Sequence, residues 1–71
     1  MVAKDDLAAF GEKLKDMRIA KKLSLQKFAD EADLAKSTVH RIEKGDLNFS
    51  YTILLSLAKA LKISPAEFFD K

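Results

Sequence analysis

Residues 23–45, LSLQKFADEADLAKSTVHRIEKG, decide the fold of this 71-residue chain, because two short amphipathic patterns follow each other within them. In the first pattern, four apolar residues recur at a regular spacing: Leu25, Phe28, Ala29 and Ala32. Only a helix places residues at this spacing on one face. The second pattern has its apolar pair at Val39 and Ile42, and Gly45 then tolerates the left-handed conformation that closes a helix. We therefore expect two short helices joined by a tight turn.

The second of these helices carries most of the local positive charge. Its remaining side chains include hydrogen-bond donors and cations: Lys36, Ser37, Thr38, His40, Arg41 and Lys44. Such groups can bond the base edges and phosphates of nucleic acid. Residues 34–45 hold three cations and one anion, whereas residues 23–33 hold one cation and three anions. This contrast is more informative than the net charge of the whole chain, which is only +2.

Length and composition limit the class of protein. The 71 residues suit one domain, and we assign residues 1–71 to it. The chain has no cysteine and a single histidine, His40, so a thiolate zinc site is excluded and any other metal site is poorly supported. A charged N-terminus and the absence of a long apolar run predict neither a signal peptide nor a membrane span. We expect a soluble, cytoplasmic protein.

Helical spacing continues on both sides of the central stretch. Residues 5–20 predict a first helix, residues 51–62 a fourth, and the segment after Ser64 a short fifth. Period-two alternation, the pattern of a half-buried strand, is absent. Each later helix start also has an apolar residue before the cap and another five residues further on, the geometry of a hydrophobic staple. The four pairs are Leu23 with Phe28, Leu34 with Val39, Phe49 with Leu54, and Ile63 with Phe68.

The cap positions of these helix starts are serines in three cases and an alanine in one. Ser24, Ser50 and Ser64 can each accept a hydrogen bond from a backbone N–H that otherwise has no partner. Ala35 cannot, and the loss of a cap typically costs about 0.5–2 kcal/mol. Either Asp33 caps a helix that begins earlier, or the Ala35 methyl contacts a thymine methyl in the major groove. The sequence leaves both explanations open.

The order and spacing of these segments resemble those of phage repressor and Cro-type proteins, the XRE-like regulators, over residues 10–69. The residues that carry the resemblance are Leu14 and Arg18, then Leu23, Ser24, Phe28 and Ala29, then residues 37–45, 54–61 and 63–69. The resemblance implies an all-α, compact five-helix bundle that contains a helix-turn-helix, the lambda-repressor-like DNA-binding domain. It also implies binding to double-stranded DNA, with the third helix in the major groove.

Individual roles follow from the resemblance. Base reading falls to four residues of the third helix: Lys36, Ser37, Thr38 and Arg41. Arg41 has the reach and the fork to hold a guanine bidentately, whereas Thr38 bonds either the nucleic acid or the carbonyl of the preceding turn. Backbone phosphates are assigned to six flanking residues: Ser24, Gln26, Lys27, His40, Lys44 and Asn48. Taken singly, each of these lysines is equally compatible with an ordinary solvated surface.

The family also has a structural ion pair, and this chain departs from the family in three places. An arginine late in the first helix pairs there with the glutamate before the end of the third, which implies a pair between Arg18 and Glu43. Leu25 stands where a glutamine often contacts a phosphate, Asp33 replaces the usual turn glycine, and Ala35 replaces the usual cap. Aspartate tolerates the left-handed conformation better than most residues, so we expect the turn to survive.

Two functions fit these observations. One is a homodimeric transcriptional regulator whose two reading helices lie about 34 Å apart on a two-fold symmetric operator. The other is a protein-interaction module, such as an antitoxin-like partner of a toxin or of a larger regulator, with DNA binding secondary. Four apolar residues exceed what one small core hides, and we expect them at the interface: Leu47, Phe49, Leu55 and Phe69. Nothing resembles a nucleophile with its base or a phosphate-binding loop, so we expect neither an enzyme nor a cofactor.

Overall fold

The computed structural model describes residues 4–69, which form four α-helices and one 3-10 helix. The α-helices are α1 (Lys4–Ala20), α2 (Leu25–Ala32), α3 (Lys36–Glu43) and α4 (Tyr51–Leu61). No strand occurs within the described residues. The all-helical prediction is confirmed, and α2 and α3 form the expected pair around the turn at residues 33–35.

The five-helix count is not confirmed as predicted, because the structure has four α-helices and the expected short fifth helix is a 3-10 helix, Pro65–Phe69. The Glu67 N–H donates to the Ser64 carbonyl, three residues back, at 2.9 Å. The Glu67 carboxylate in turn accepts the Ser64 N–H at 2.9 Å, which is half of the capping box expected there. Both hydrogen bonds close one tight turn. So short a segment favours hydrogen bonds between residues three apart, as in a 3-10 helix, over those between residues four apart, as in an α-helix.

The core lies where the four α-helices meet. Its largest fully buried side chains are Phe28, Leu14, Ile42, Leu57, Leu61 and Val39. The second member of each staple is buried, and the first member packs against the core from its edge. Helical periodicity therefore identified the inward faces correctly.

The helix starts differ in how they are capped. Ser24 Oγ accepts the Lys27 N–H at 3.0 Å, and Ser50 Oγ accepts the Ile53 N–H at 3.3 Å. Ala35 makes no side-chain cap. Asp33 has φ 59° and closes α2, so the explanation in which Asp33 caps α3 is wrong.

All four α-helices end in the same way, with a residue in the left-handed region. Three of these residues carry side chains, Lys22, Asp33 and Lys62, each with φ 59°; the fourth is Gly45 with φ 77°. At the end of α3 the Asp46 N–H reaches the Arg41 carbonyl at 2.9 Å, and the Gly45 N–H reaches that of Ile42 at 3.0 Å. This pair of bonds is the Schellman motif, which satisfies carbonyls that the helix leaves free.

Candidate nucleic-acid interface

Helix α3 has one face in the core and one in solvent. Val39, Ile42 and Glu43 are buried, and Thr38 is half-buried. The exposed side chains lie on the opposite face and form what we call the α3 stripe: Lys36, Ser37, His40, Arg41 and Lys44. Of the four residues predicted to read bases, three belong to this stripe, and Thr38 lies at its border. The stripe contains three cations and no anion.

An ion pair holds the far end of α3 against α1. Arg18 Nε donates to Glu43 Oε2 at 2.7 Å, and Arg18 Nη2 donates to Glu43 Oε1 at 3.2 Å. Arg18 Nη1 also donates to the Leu23 carbonyl at 2.8 Å. The side chains are only 12% and 4% exposed. The pair implied for Arg18 and Glu43 is thus present, and it turns Arg18 inward, away from the α3 stripe.

A close contact between backbones, beside this ion pair, determines how near α3 lies to α1. Gly11, in the middle of α1, is buried, and a Cβ built on it would lie 2.3 Å from the Ile42 carbonyl oxygen and 2.5 Å from that of Glu43. No real side chain tolerates such distances, so only glycine lets α1 approach α3 this closely. The sequence analysis missed Gly11, although a lone glycine inside a helical pattern often has a packing role.

The N-terminal end of the α3 stripe borders a notch against α2. Leu25, Lys36, Ser37 and His40 line this open depression, which has a volume of about 420 Å³. Leu25 is half-buried and packs against the edge of the core. The fold therefore brings the first residue of α2 beside the predicted base readers of α3.

At the other end of the α3 stripe, two cations lie close to Asp46. Lys44 Nζ is 3.8 Å from Asp46 Oδ2, and both side chains are more than half exposed. Arg41 Nη2 donates to the Asp46 carbonyl oxygen at 3.5 Å. Exposed contacts of this kind contribute little free energy, so both cations can exchange them for a ligand.

The remaining predicted phosphate contacts are distributed over two places. Ser24, Gln26 and Lys27 are exposed at the start of α2. Gln26 Nε2 donates to Asp30 Oδ1 at 2.8 Å, so this side chain lies along its own helix. Asn48 is exposed but lines an apolar groove, apart from the residues of the α3 stripe.

This apolar groove lies between α1, the start of α4 and the 3-10 helix. Its volume is about 250 Å³, and its lining is mainly apolar and aromatic: Leu7, Phe10, Phe49, Tyr51, Leu54 and Phe69. Tyr51 and Phe69 are 69% and 67% exposed. The Phe10 ring lies 5.0 Å from that of Phe49 and 5.1 Å from that of Phe68, measured between centroids.

The four residues expected at an interface do not behave alike. Phe69 and Leu55 are exposed, whereas Leu47 and Phe49 are half-buried against the core. Tyr51 belongs with the exposed pair, and the sequence analysis missed it because the first position of a helix has no periodic signal of its own. No described helix, within residues 4–69, is long and apolar enough to cross a membrane.

An exposed cationic face on the second helix of a buried helix-turn pair defines a class of protein. A model of the helix-turn-helix family matches residues 14–68, most of the chain. The chain therefore belongs to the XRE-type helix-turn-helix family of DNA-binding transcription regulators.

Similar proteins include a control protein, a restriction-modification controller protein and a gene regulator. Over 62 residues the chain is 34% identical to control protein C.BamHI of Bacillus amyloliquefaciens, covering 86% of this chain and 76% of that protein. Among solved structures, controller protein C.AhdI of Aeromonas hydrophila is 42% identical, with a TM-score of 0.90 over 92% of this chain and 98% of that one. The clp gene regulator ClgR of Corynebacterium glutamicum is 25% identical, with a TM-score of 0.83 over 89% and 82%.

Proposed function

We propose that this protein is a controller-type transcriptional regulator that binds a two-fold symmetric DNA operator as a homodimer. One observation carries the proposal: the α3 stripe presents three cations and two further polar side chains to solvent, while an ion pair and a glycine contact fix the helix from behind. A helix held in this way can enter the major groove as a rigid body. The similarity to control protein C.BamHI and to restriction-modification controller protein C.AhdI supports the same role.

Each part of the interface has a separate task in this proposal. Lys36, Ser37, Thr38 and Arg41 read base edges, and Arg41 reads a guanine through its bidentate fork. The phosphates on either side are held by the cations and donors that flank the reading helix: Ser24, Gln26, Lys27, His40, Lys44 and Asn48. Phosphate contacts determine the register of the protein on the duplex, and base contacts determine which sequence it prefers.

The apolar side chains supply the dimer in this proposal. Phe69 and Leu55, which are exposed, and Leu47 and Phe49, which are half-buried, contribute to one interface with a second copy of the chain. A two-fold interface of this kind places two copies of α3 about 34 Å apart, one turn of DNA.

The test is selection of bound duplexes from a random DNA library at near-physiological salt, followed by sequencing. We expect enrichment of one two-fold symmetric site. Its half-sites should lie one helical turn apart. Binding without enrichment of any sequence would contradict the proposal.

One observation favours a second function, a protein-interaction module. The apolar groove is open, and the aromatic rings of Tyr51 and Phe69 beside it face solvent. The salt dependence of binding separates the two functions. Release of counterions from phosphates makes log affinity fall steeply with log salt concentration, whereas an apolar protein interface shows no such slope.

A further inference from the structure

The notch between α2 and α3 combines an apolar wall with a polar rim. Of its four lining residues, Leu25 alone is apolar, and it is half-buried against the core. Lys36, Ser37 and His40 surround it and are exposed on α3. Leucine offers no hydrogen bond to a phosphate. At the edge of the α3 stripe, Leu25 is therefore suited to an apolar group of the ligand.

The major groove of DNA offers one apolar group on its base edges, the 5-methyl group of thymine. The O4 acceptor lies next to this methyl on the same base edge. A donor beside an apolar side chain therefore matches a thymine, and the notch provides this pair in Lys36 or Ser37 beside Leu25. Methylated cytosine carries the same methyl, but an amino donor replaces the acceptor next to it. The ammonium of Lys36 cannot accept from this group, whereas the Ser37 hydroxyl can.

We infer that the notch receives the 5-methyl group of a pyrimidine, and that Leu25 is a specificity-determining residue for thymine at one position of each half-site. The inference rests on the proposed function, because it requires α3 to lie in the major groove. It adds a contact from α2 to base readers that otherwise all belong to α3.

Uracil is the sharpest probe, because it differs from thymine only by the missing methyl. The full chain is titrated against its selected operator and against duplexes in which one symmetric pair of thymines at a time is replaced by uracil. At one position we expect affinity to fall about fourfold per half-site, the factor that burial of a methyl group contributes.

Variants at Leu25 assign the effect to the notch. Leu25→Gln removes the apolar contact and keeps the length of the side chain, so it should bind thymine and uracil duplexes equally. Leu25→Met stays apolar and should keep the preference. Thermal unfolding of each variant shows whether it is folded, and the ratio of the two affinities is independent of how much protein is active.

Ala35→Ser is the matched control, because the Ala35 methyl is the other candidate for a thymine contact. We expect this variant to keep the preference for thymine over uracil. Loss of the preference in Ala35→Ser would overturn the assignment to Leu25. A preference that survives in Leu25→Gln would overturn it too.

The inference and the proposed function fail in different ways. Absence of any sequence-specific binding contradicts the proposed function. Specific binding that is indifferent to uracil at every thymine, or a selected half-site without an invariant thymine, overturns the inference alone.

Discussion

Among single residues, the left-handed helix ends carry the most unusual backbone. Lys62 ends α4 with φ 59°, a conformation in which a side chain costs roughly 1–2 kcal/mol relative to glycine. Lys62→Gly should therefore stabilise the fold by about 1 kcal/mol, part of the gain being offset by the greater freedom of glycine in the unfolded chain. Urea denaturation measures the change in the free energy of unfolding.

A glycine placed three residues earlier is the control for this prediction. Lys59 is exposed in the last turn of α4 and has ordinary helical geometry, so Lys59→Gly should destabilise the protein by about 1 kcal/mol. Destabilisation in both variants would show that the conformation of Lys62 is not strained.

Gly11 is a residue at which an added methyl group should strongly destabilise the fold. Its Cβ would lie 2.3 Å from a backbone oxygen of α3, and backbone cannot give way as the tip of a side chain can. We expect Gly11→Ala to lower the free energy of unfolding by about 2–3 kcal/mol, in the range of an overpacked core, although alanine is the better helix former. Glu12→Ala, at the exposed neighbouring position, should change it by less than about 0.5 kcal/mol.

These residues also indicate how far sequence reasoning reaches. The serine caps and the left-handed turn at Asp33 were predictable, since each depends on the chemistry of a residue and its immediate neighbours. Gly11 was not, because its importance comes from the Ile42 and Glu43 carbonyls, more than 30 residues away along the chain. Lys22 and Lys62 were missed because lysine has no preference for the conformation that the surrounding helices impose.

Between elements, the Arg18–Glu43 pair joins α1 to α3 and carries a double-mutant prediction. Each group is nearly buried, so Arg18→Met or Glu43→Gln alone leaves one partner without its counter-charge and should cost about 3 kcal/mol. The double variant should cost clearly less than the sum of the two. Additive losses in chemical denaturation would mean that the two side chains do not interact energetically.

Two neighbouring cations of the α3 stripe, Arg41 and Lys44, should respond differently to mutation. Arg41→Ala should cost about 1–3 kcal/mol of operator binding and relax the preference at one base pair per half-site. Lys44→Ala should weaken binding to all sequences alike. It should also reduce the slope of log affinity against log salt concentration by about 1. Fluorescence titrations of the operator and of single-base variants, at several salt concentrations, distinguish these outcomes. A uniform loss in Arg41→Ala would reassign that residue to a phosphate.

The outward face of α3 was predictable and its surroundings were not. A helical period with buried Val39 and Ile42 determines which neighbours face solvent, and this is a property of α3 alone. The contact of Asp46 with Lys44, and the notch of Leu25 against Lys36, depend on how the following loop and α2 fold back onto α3. Apolar excess likewise indicated an interface, but only the fold separates exposed Phe69 from half-buried Phe49.

In the whole molecule, the polar and apolar surfaces have different proposed roles: the α3 stripe binds DNA, and the apolar surface joins two copies of the protein. The α3 stripe is short, and a single copy can read only a few base pairs, so specificity in a genome requires two copies on one site. We place the contact between copies on the apolar side chains, of which Phe69 and Leu55 are the exposed ones, and Phe69 also lines the groove. Affinity for the operator should then depend on dimerisation as well as on α3.

A charge placed on this surface tests that dependence. Phe69 is 67% exposed, so Phe69→Glu should leave the monomer folded. At a two-fold interface the substitution buries one carboxylate on each copy and removes two aromatic contacts. We expect the dissociation constant of the dimer to rise at least about tenfold, the effect of an interface residue worth more than 1.4 kcal/mol. Sedimentation equilibrium measures this constant directly.

Ile19→Glu separates an interface effect from a general effect of charge. Ile19 is 53% exposed but does not line the groove. Dimerisation of this variant should match that of the wild type, and its operator binding should fall only slightly. If Phe69→Glu remains dimeric, the groove is not the dimer contact. Tyr51 and Phe69 would then be free in the dimer, and the open groove would favour a protein partner instead.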